Sequence, residues 1–294
     1  MPERPCVLLV VGIGSQKDRD SRPYREHLLA GAARAYPLWL LEADELTWQR
    51  PYTVGSSIFS APTAQALVSA AREVATHHRI LGVLCPDEGL LLPAAHIAVE
   101  LGLPGASIEA VRACRDKKLS RRLFTDAGLL QPRHTSVSSP SELHEVVAEY
   151  GLPIVLKPRP FGSSRGVVKV EDPDQLDRAF AITAAARYPG IDEFPDIVVE
   201  EYLAGPEISV DGSIINGSYR PHIVARKRTG PPPFFEETGH VVSPDDPAGT
   251  DPAIRDLLRR GHAALGFDHG MTHAEIKFTA RGPVIIEING RPGG

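Results

Sequence analysis

Two acidic residues near the end of the sequence are placed where they can share a cation. Glu275 and Glu287 lie in the segments "MTHAEIKFT" and "PVIIEIN", which are joined by residues 280–282. If those three residues form a hairpin loop with Gly282 in the left-handed conformation, Glu275 falls directly opposite Glu287. Like charges opposed across an antiparallel pair are destabilising, and a divalent cation between them would reverse that sign. Because Mg2+ favours a few carboxylates together with substrate phosphates, the pattern predicts a magnesium site.

Strand alternation adds polar side chains to the same face of this hairpin. Asn289 and Arg291 share the face of Glu287 if the strand continues, and Lys277 shares the face of Glu275. The alternative interpretation is a surface ladder of salt bridges in which Lys277 and Arg291 balance the two acids.

Basic residues follow a predicted helix N-terminus. Asp116 is a suitable N-cap for the segment "KKLSRRLFTDAG", in which Leu119, Leu123 and Ala127 form an apolar stripe. Lys117 then lies at the positive end of the helix dipole, which costs roughly 0.3 to 1 kcal/mol for an unpaired cation. A bound anion would remove that cost, and solvated surface lysines are the alternative interpretation.

A glycine-rich loop follows a second lysine. Lys157 ends an apolar strand, and the segment "PRPFGSSRG" connects it to another strand. Gly162 and Gly166 permit close backbone approach, while Ser163, Ser164 and backbone N–H groups can hold phosphate oxygens. The loop joins two strands, so it differs from a Walker A loop, which leads into a helix. A plain glycine turn is the alternative.

Acidic residues also interrupt the apolar segment "IVVEEYLAGPEISVDG". Glu200 and Glu201 end one predicted strand, and Glu207 begins the next after a Gly-Pro turn. An edge strand with exposed acids would explain this pattern. A crevice that binds an adenine through the backbone and a ribose through a carboxylate would explain it too.

The elements that must position these residues fall into two groups. The N-terminal third alternates buried strands, "CVLLVV" and "ILGVLC", with helical segments, which indicates an open α/β domain. From residue 113 onward, short strands and capped helices indicate an α+β region with antiparallel hairpins. We therefore expect an N-terminal domain at residues 1–112 and a change of architecture from residue 113 onward.

Composition excludes several classes of protein. A net charge of −5 and 42% apolar residues are ordinary for a globular enzyme and give no sign of a nucleic-acid partner. The apolar runs are too short or too interrupted to span a bilayer, and the N-terminus lacks the pattern of a signal peptide, so we expect a cytoplasmic protein. The three cysteines are far apart and predict neither a disulfide framework nor a zinc site.

In their order along the chain, these segments resemble the ATP-grasp superfamily. The resemblance rests on Asp116-Lys117, on Lys157 before the glycine loop, on "EEYLAGPE", and on an acidic residue followed by "EING". It covers residues 113–294 and implies an N-terminal open α/β domain of the kind that precedes the ATP-grasp fold. Residues 113–190 would form the small lobe with the phosphate loop. Residues 191–294 would form the large lobe with the metal-binding hairpin.

The resemblance also implies roles for the residues singled out above. The phosphates of ATP would be bound by a set of lysine and loop residues: Lys117, Lys157, Gly162, Ser163, Ser164 and Gly166. The adenosine would be bordered by hinge residues: Glu200, Glu201 and Leu203 at the adenine and Glu207 at the ribose. The metal, Mg2+ or alternatively Mn2+, would be held by Glu275, Glu287 and Asn289.

The segments "EINGRPGG" and "FFEETGHVVSP" most resemble the amino-acid ligase branch of that superfamily, in which the residue matching Arg291 faces the reacting carboxylate. The implied reaction activates a small carboxylate, an amino acid or a similar acid, as an acyl phosphate that an amine attacks, giving ADP and phosphate. Arg291 and Lys157 are the expected catalytic residues. His240 is a candidate substrate contact or a structural loop residue.

Two other functions stay open on the sequence. A kinase-like member would transfer the γ-phosphate of ATP to a stable acceptor. A truncated, non-catalytic ATP-binding protein is the other alternative, because relatives continue beyond the Gly-Gly pair with a helix and a further subdomain. The expected partners are small carboxylate and amine substrates, and a homodimer stays open. The cluster from Arg226 to Arg228 could reach phosphate or form surface charges.

Overall fold

The computed structural model describes residues 4–14, 21–160, 162, 164–187, 191, 194–243 and 245–293. The described residues divide into two compact units, one within 1–111 together with 291–293, and the other within 112–290. The predicted mixture of an open α/β region and an α+β region is confirmed. The predicted domain boundaries stay predictions. Among the described residues, no helix is long and apolar enough to cross a membrane.

The first unit is built on a parallel sheet. Its strands are Cys6–Val11 (β1), Leu38–Glu42 (β2), Gly55–Ile58 (β3) and Arg79–Leu84 (β4). Their order is β3-β2-β1-β4, with parallel neighbours throughout. The helices in this part of the chain are Ser21–Ala35 (α1), Ala64–His77 (α2), Leu91–Glu100 (α3) and Ile108–Arg115 (α4).

Both faces of that sheet are packed, which explains why β1 is apolar at every position. Leu9 belongs to a core that includes Leu67 of α2 and Ile97 of α3. Val10, the next residue, belongs to a second core with Leu29 of α1. Successive side chains of a strand point to opposite faces, so helices on both sides require a continuous apolar run.

The second unit contains two antiparallel sheets. The four-stranded sheet has the order β5-β8-β6-β7, and its strands are His134–Val137 (β5), Ile154–Pro158 (β6), Val168–Val170 (β7) and Ile197–Glu201 (β8). The five-stranded sheet has the order β11-β10-β9-β12-β13, and its strands are Glu207–Ile215 (β9), Ser218–Thr229 (β10), Glu237–Val242 (β11), Gly270–Thr279 (β12) and Gly282–Asn289 (β13). The helices are Lys117–Asp126 (α5), Pro140–Tyr150 (α6), Leu176–Ala184 (α7) and Pro252–Ala264 (α8).

Helix α5 begins where the sequence predicts but buries a different face. The Asp116 carboxylate accepts hydrogen bonds from the N–H groups of residues 118 and 119, as expected of an N-cap. The predicted apolar stripe is wrong, since its two leucines are only half-buried and Ala127 is exposed. The buried side chains are those of Ser120, Arg121 and Phe124. A charged side chain therefore occupies a core position of this helix.

The hairpin formed by β12 and β13 has a shorter loop than predicted. Thr279 pairs with Gly282, which leaves only residues 280–281 in the loop. The predicted three-residue loop is therefore wrong. Gly282 does adopt a positive φ of 117°. A regular ladder continued from this turn would not place Glu275 opposite Glu287.

A β-bulge restores the predicted opposition of the two acids. Ile276 pairs with Ile285 on the turn side of the bulge. Beyond it, Glu275 pairs with Glu287, so Ile286 is the extra residue of β13. A bulge shifts the register by one residue and thereby changes which side chains share a face.

A buried histidine joins α8 to the five-stranded sheet. The ring of His262 has no solvent exposure, and its Nδ1 lies 2.6 Å from the carbonyl oxygen of Leu258. Its Nε2 lies 2.8 Å from Oγ1 of Thr272 in β12. A carbonyl can only accept, so Nδ1 carries the proton and Nε2 accepts from the hydroxyl. Burial lowers the pKa of His262 to about 4, against the opposing effect of its bond to Leu258.

We predict that this histidine makes the second unit less stable as pH falls from about 6.5 to about 4. Between these pH values the histidine of the unfolded protein, with a pKa near 6.5, is protonated, whereas the buried histidine of the folded protein is neutral. The unfolding free energy therefore drops by up to roughly 3 kcal/mol. In His262→Gln the slope should flatten, as measured by urea unfolding at several pH values. The exposed His222→Gln variant should keep the wild-type slope. Equal slopes in wild type and His262→Gln would contradict the assignment.

Candidate active site

One cavity of the second unit gathers most of the residues that the sequence singled out. It contains about 700 Å³ of empty space, open solvent included, which is within the range of roughly 300 to 1,000 Å³ for small-molecule sites. The predicted site residues in its wall are Lys117, Lys157, Ser164, Glu200, Glu201, Leu203, Glu207, Glu275 and Glu287. Both sheets of the unit and the start of α5 contribute to this wall.

The two lysines at the start of α5 have carboxylate partners. Lys117 Nζ lies 3.2 Å from Glu287 Oε2. Lys118 Nζ lies 2.7 Å from Asp196 Oδ2. Both cations at the positive end of the helix dipole are therefore compensated by protein anions. Side-chain carboxylates therefore supply the negative charge that a bound anion could also provide at this helix end.

Lys157 is held by a buried acid. Its Nζ lies 2.7 Å from Glu200 Oε2, and the Glu200 side chain is 3% exposed. Burial by itself raises the pKa of Glu200, but the charges of Arg121 and Lys157 outweigh it and hold the pKa well below its usual range. Glu200 is therefore an anion at neutral pH whose lone pairs are committed to two cations. Its predicted contact with an adenine stays a prediction.

The hinge between the two sheets directs its second acid to surface cations. The Glu201 carboxylate forms an ion pair with Arg133 at 3.2 Å and another with Arg281. Leu203 is buried, and both Leu203 and Tyr202 belong to the cavity wall. The Tyr202 ring lies 6.4 Å from the ring of Phe235, which also lines the cavity. The hinge side of the cavity is therefore apolar and aromatic.

Lys227 lies among three carboxylates of the cavity wall, and its side chain is only 2% exposed. Its Nζ lies 3.3 Å from Glu207 and 2.5 Å from Glu237, and it also contacts Glu275. Burial lowers the pKa of Lys227, but the charges of Glu275 and Glu207 outweigh this and raise it above its usual value. The lysine is therefore charged. The neighbouring Arg226 instead pairs with Asp246.

The two hairpin acids face each other and are both ionised. Burial raises the pKa of Glu275, but a hydrogen bond from His273 and the charge of Lys227 lower it overall. Burial and the repulsion from Glu275 raise the pKa of Glu287, but the charges of Lys117 and Lys157 and the hydrogen bond from Asn289 together lower it overall. Two opposed, ionised carboxylates are the ligand type that Mg2+ prefers.

The remaining predicted ligand of the metal lies beside these acids. Asn289 Nδ2 donates to Glu287 Oε1 at 2.9 Å. Within the described part of the chain, no group of three or more His, Cys, Asp or Glu side chains is arranged to hold a metal. Two carboxylates and an amide oxygen fit Mg2+ only if phosphates and water complete its coordination, which is how Mg2+ is usually bound.

The glycine-rich loop is described in part. Ser163 lies outside the described residues. Ser164 adopts a φ of 51° and lines the cavity, while the carbonyl of Gly162 accepts from the N–H of residue 165 at 3.3 Å. At Gly166, φ is 71° and a Cβ would lie 2.5 Å from the Cβ of Ala186. This glycine is required by backbone conformation and by packing.

Arg291 and His240, which the sequence also singled out, contact acids other than those paired with Lys117 and Lys157. Arg291 belongs to the first unit, where its Nε donates to Glu88 Oε2 at 2.8 Å. Its proposed contact with a reacting carboxylate stays a prediction. His240 Nε2 lies 2.8 Å from Oε2 of Glu237, so it adjoins the acids around Lys227.

The chain is similar in sequence to a known protein family and to several curated proteins. The ATP-grasp domain family matches residues 150–294. An uncharacterized protein of Sinorhizobium fredii is 30% identical over 237 residues, which make up 78% of this chain and 47% of that protein. Alanine–anticapsin ligase of Bacillus subtilis is 27% identical over 226 residues, 71% of this chain and 48% of that enzyme. The chain thus spans about half the length of these curated relatives.

A solved structure extends the likeness to the whole fold. The crystal structure of L-amino acid ligase from Bacillus licheniformis matches with a TM-score of 0.77 at 22% sequence identity. The match covers 99% of this chain and 68% of that one. Residues 150–294 thus belong to the ATP-grasp domain family.

We predict that Lys227→Met lowers the unfolding free energy by about 2 to 3 kcal/mol. The substitution leaves three carboxylates close together without their shared cation, and their partial exposure reduces the cost below that of a fully buried ion. Urea unfolding at pH 7 measures the loss. Arg228→Met, at the exposed neighbouring position, should change stability by less than about 0.5 kcal/mol. Equal losses of unfolding free energy in the two variants would contradict the stabilising role of Lys227 among the three carboxylates.

Proposed function

We propose that the protein is an ATP-dependent carboxylate–amine ligase that activates a small carboxylate, of the amino-acid kind, as an acyl phosphate. The observation that carries this proposal is the presence of two opposed acids and two lysines in the wall of one cavity. Glu275 and Glu287 face each other there, and Lys117 and Lys157 lie beside them. Membership of the ATP-grasp superfamily supports the same reaction, as do the ligase names of an aligned relative and of a structural neighbour.

The cavity has a suitable group for each part of ATP. The apolar and aromatic wall at Leu203 and Phe235 suits an adenine ring. Glu207, at the start of β9, is the proposed acceptor for the ribose hydroxyls. Lys117 and Lys157 would bind the phosphates. Each lysine would exchange a carboxylate partner for a phosphate, so that its charge stays paired throughout.

A divalent cation would be held by Glu275, Glu287 and Asn289. When bound, Mg2+ supplies positive charge that neutralises the phosphates. Formation of the acyl phosphate and its attack by the amine need no protein nucleophile. The protein's own cations would therefore contribute by positioning the substrates and by stabilising charge.

In the proposed first step, a carboxylate oxygen of the substrate attacks the γ-phosphorus of ATP, and the bond to the β,γ-bridging oxygen breaks to release ADP. In the second, the amine nitrogen attacks the acyl carbon, phosphate leaves, and the nitrogen gives up a proton. The attacking carboxylate and the γ-phosphate are both anionic, and two unit charges about 4 Å apart repel by roughly 4 kcal/mol at an effective dielectric of 20. Lys117 and Lys157 would offset that repulsion, and Arg291 is the proposed partner of the reacting carboxylate.

The proposal is tested by measuring ADP and phosphate release from ATP and Mg2+ with pairs of amino acids. Wild type should release both products only when a carboxylate and an amine are present together. Glu287→Gln removes one of the opposed charges and should lower turnover at least about 100-fold. The exposed Glu145→Gln variant should keep wild-type turnover.

Three results would contradict the proposal. Equal turnover in wild type and Glu287→Gln would remove the metal assignment. A phosphorylated product that accumulates without any amine requirement would indicate a phosphotransferase. ATP binding without ADP release across all substrate pairs would indicate a non-catalytic nucleotide-binding protein.

A further inference from the structure

The guanidinium of Arg121 is buried in the second unit and fully hydrogen-bonded. Its side chain is 2% exposed. Guanidinium carries five N–H donors, and each of them has an acceptor here. The five bonds join Arg121 to Glu200 at 2.6 and 3.3 Å, Gln131 at 2.9 Å, and the carbonyls of Ile285 at 3.0 Å and Ile286 at 2.8 Å.

Two of these acceptors, the carbonyls of Ile285 and Ile286, lie at the β-bulge. In a regular antiparallel strand, successive carbonyls point to opposite sides, so two neighbouring carbonyls cannot both face one partner. The oxygens of Ile285 and Ile286 are nevertheless bound by the two terminal nitrogens of the same guanidinium. They point the same way because the strand bulges between these residues and Glu287. Within the described residues, β13 is the edge strand of its sheet, so its side away from β12 is open to donors such as this guanidinium.

The bulge decides which face of the sheet Glu287 occupies. Residue numbers of paired positions on the turn side add to a constant, as in Thr279 with Gly282 and Ile276 with Ile285. Continued without a bulge, that register would pair Glu275 with Ile286 and would turn Glu287 to the opposite face. The opposition of the two acids therefore depends on a backbone distortion that Arg121 stabilises.

The same guanidinium also orders the lysine side of the cavity. Its Nε and one terminal nitrogen bind both oxygens of Glu200, which in turn holds Lys157. Arg121 lies four residues after Lys117 on α5, so one helical turn separates its bonds from the ion pair between Lys117 and Glu287. One buried side chain thus contacts both the acid that holds Lys157 and the strand that carries Glu287.

We propose that Arg121 is a positioning residue, which holds the β13 bulge and thereby keeps Glu287 in register with Glu275 for the divalent cation. This proposal rests on the proposed function, because it assigns Arg121 to the same site. Lysine cannot replace it, since an ammonium is a compact group with three donors and cannot span two carbonyls, an amide and a bidentate carboxylate.

The test compares Arg121→Lys with Arg122→Lys, a matched change at the exposed neighbouring position of the same helix. Titration with Mn2+ in the presence of ADP should show a dissociation constant about 10- to 100-fold higher for Arg121→Lys than for wild type, and an unchanged value for Arg122→Lys. In the metal-free proteins, hydrogen exchange at the amides of residues 284–288 should accelerate in Arg121→Lys alone. All proteins are assayed well below their thermal unfolding midpoints.

A second background separates positioning from general destabilisation. Deleting Ile286 removes the extra residue, and the regular register of the turn then places the acid of position 287 opposite Glu275. In this deletion background, Arg121→Lys should weaken Mn2+ binding much less than it does in the full-length strand. A loss of the same size in both backgrounds would overturn the proposal, because Arg121 would then act by a route other than the bulge.

The outcomes also separate this proposal from the proposed function. If wild type shows no binding of Mn2+ with ADP, the proposed function itself fails. If wild type binds and Arg121→Lys binds equally well, the proposed function stands and the positioning role is refuted.

Discussion

The stability of the second unit depends on the electrical balance of several carboxylates on one cavity wall. Glu200, Glu207, Glu275 and Glu287 lie close together in a partly buried site, where each unpaired charge would cost several kcal/mol. The structure gives every one of them a cationic neighbour: Lys117, Arg121, Lys157, Lys227, His273 or Lys277. These cations account for the ionised state of Glu200, Glu275 and Glu287.

The sequence predicted the central contact of the site for a partly incorrect reason. Glu275 and Glu287 are opposed, but the loop has two residues instead of three, and a bulge supplies the missing shift. The alternation of polar and apolar residues that usually indicates register is absent at Ile285 and Ile286, because these positions are apolar in succession. A bulge in such a segment leaves no mark in the residue pattern.

Other elements could be predicted only where local signals were strong. The N-cap of α5 was found from Asp116, whereas its buried face was not, because Arg121 occupies a position that amphipathic patterning reserves for apolar residues. Its burial depends on acceptors from distant parts of the chain, which no local pattern reveals. The only local sign was that Arg121 lies four residues after Lys117, which places both side chains on the same face of α5. In the first unit, the short strands β2 and β3 and the polar helix α1 gave weaker signals than β1 and α2.

The pairing of the cavity lysines with carboxylates has a consequence for selectivity. A small anion such as chloride or inorganic phosphate meets cations that already have partners, and it must displace a carboxylate that is held in place by the fold. A polyphosphate that arrives with a divalent cation brings both signs of charge, so it can take over the lysines while its metal takes over the released acids. Under the proposed function, the site would discriminate by the exchange of complete ion pairs, which disfavours ligands that carry only one partner of the exchange.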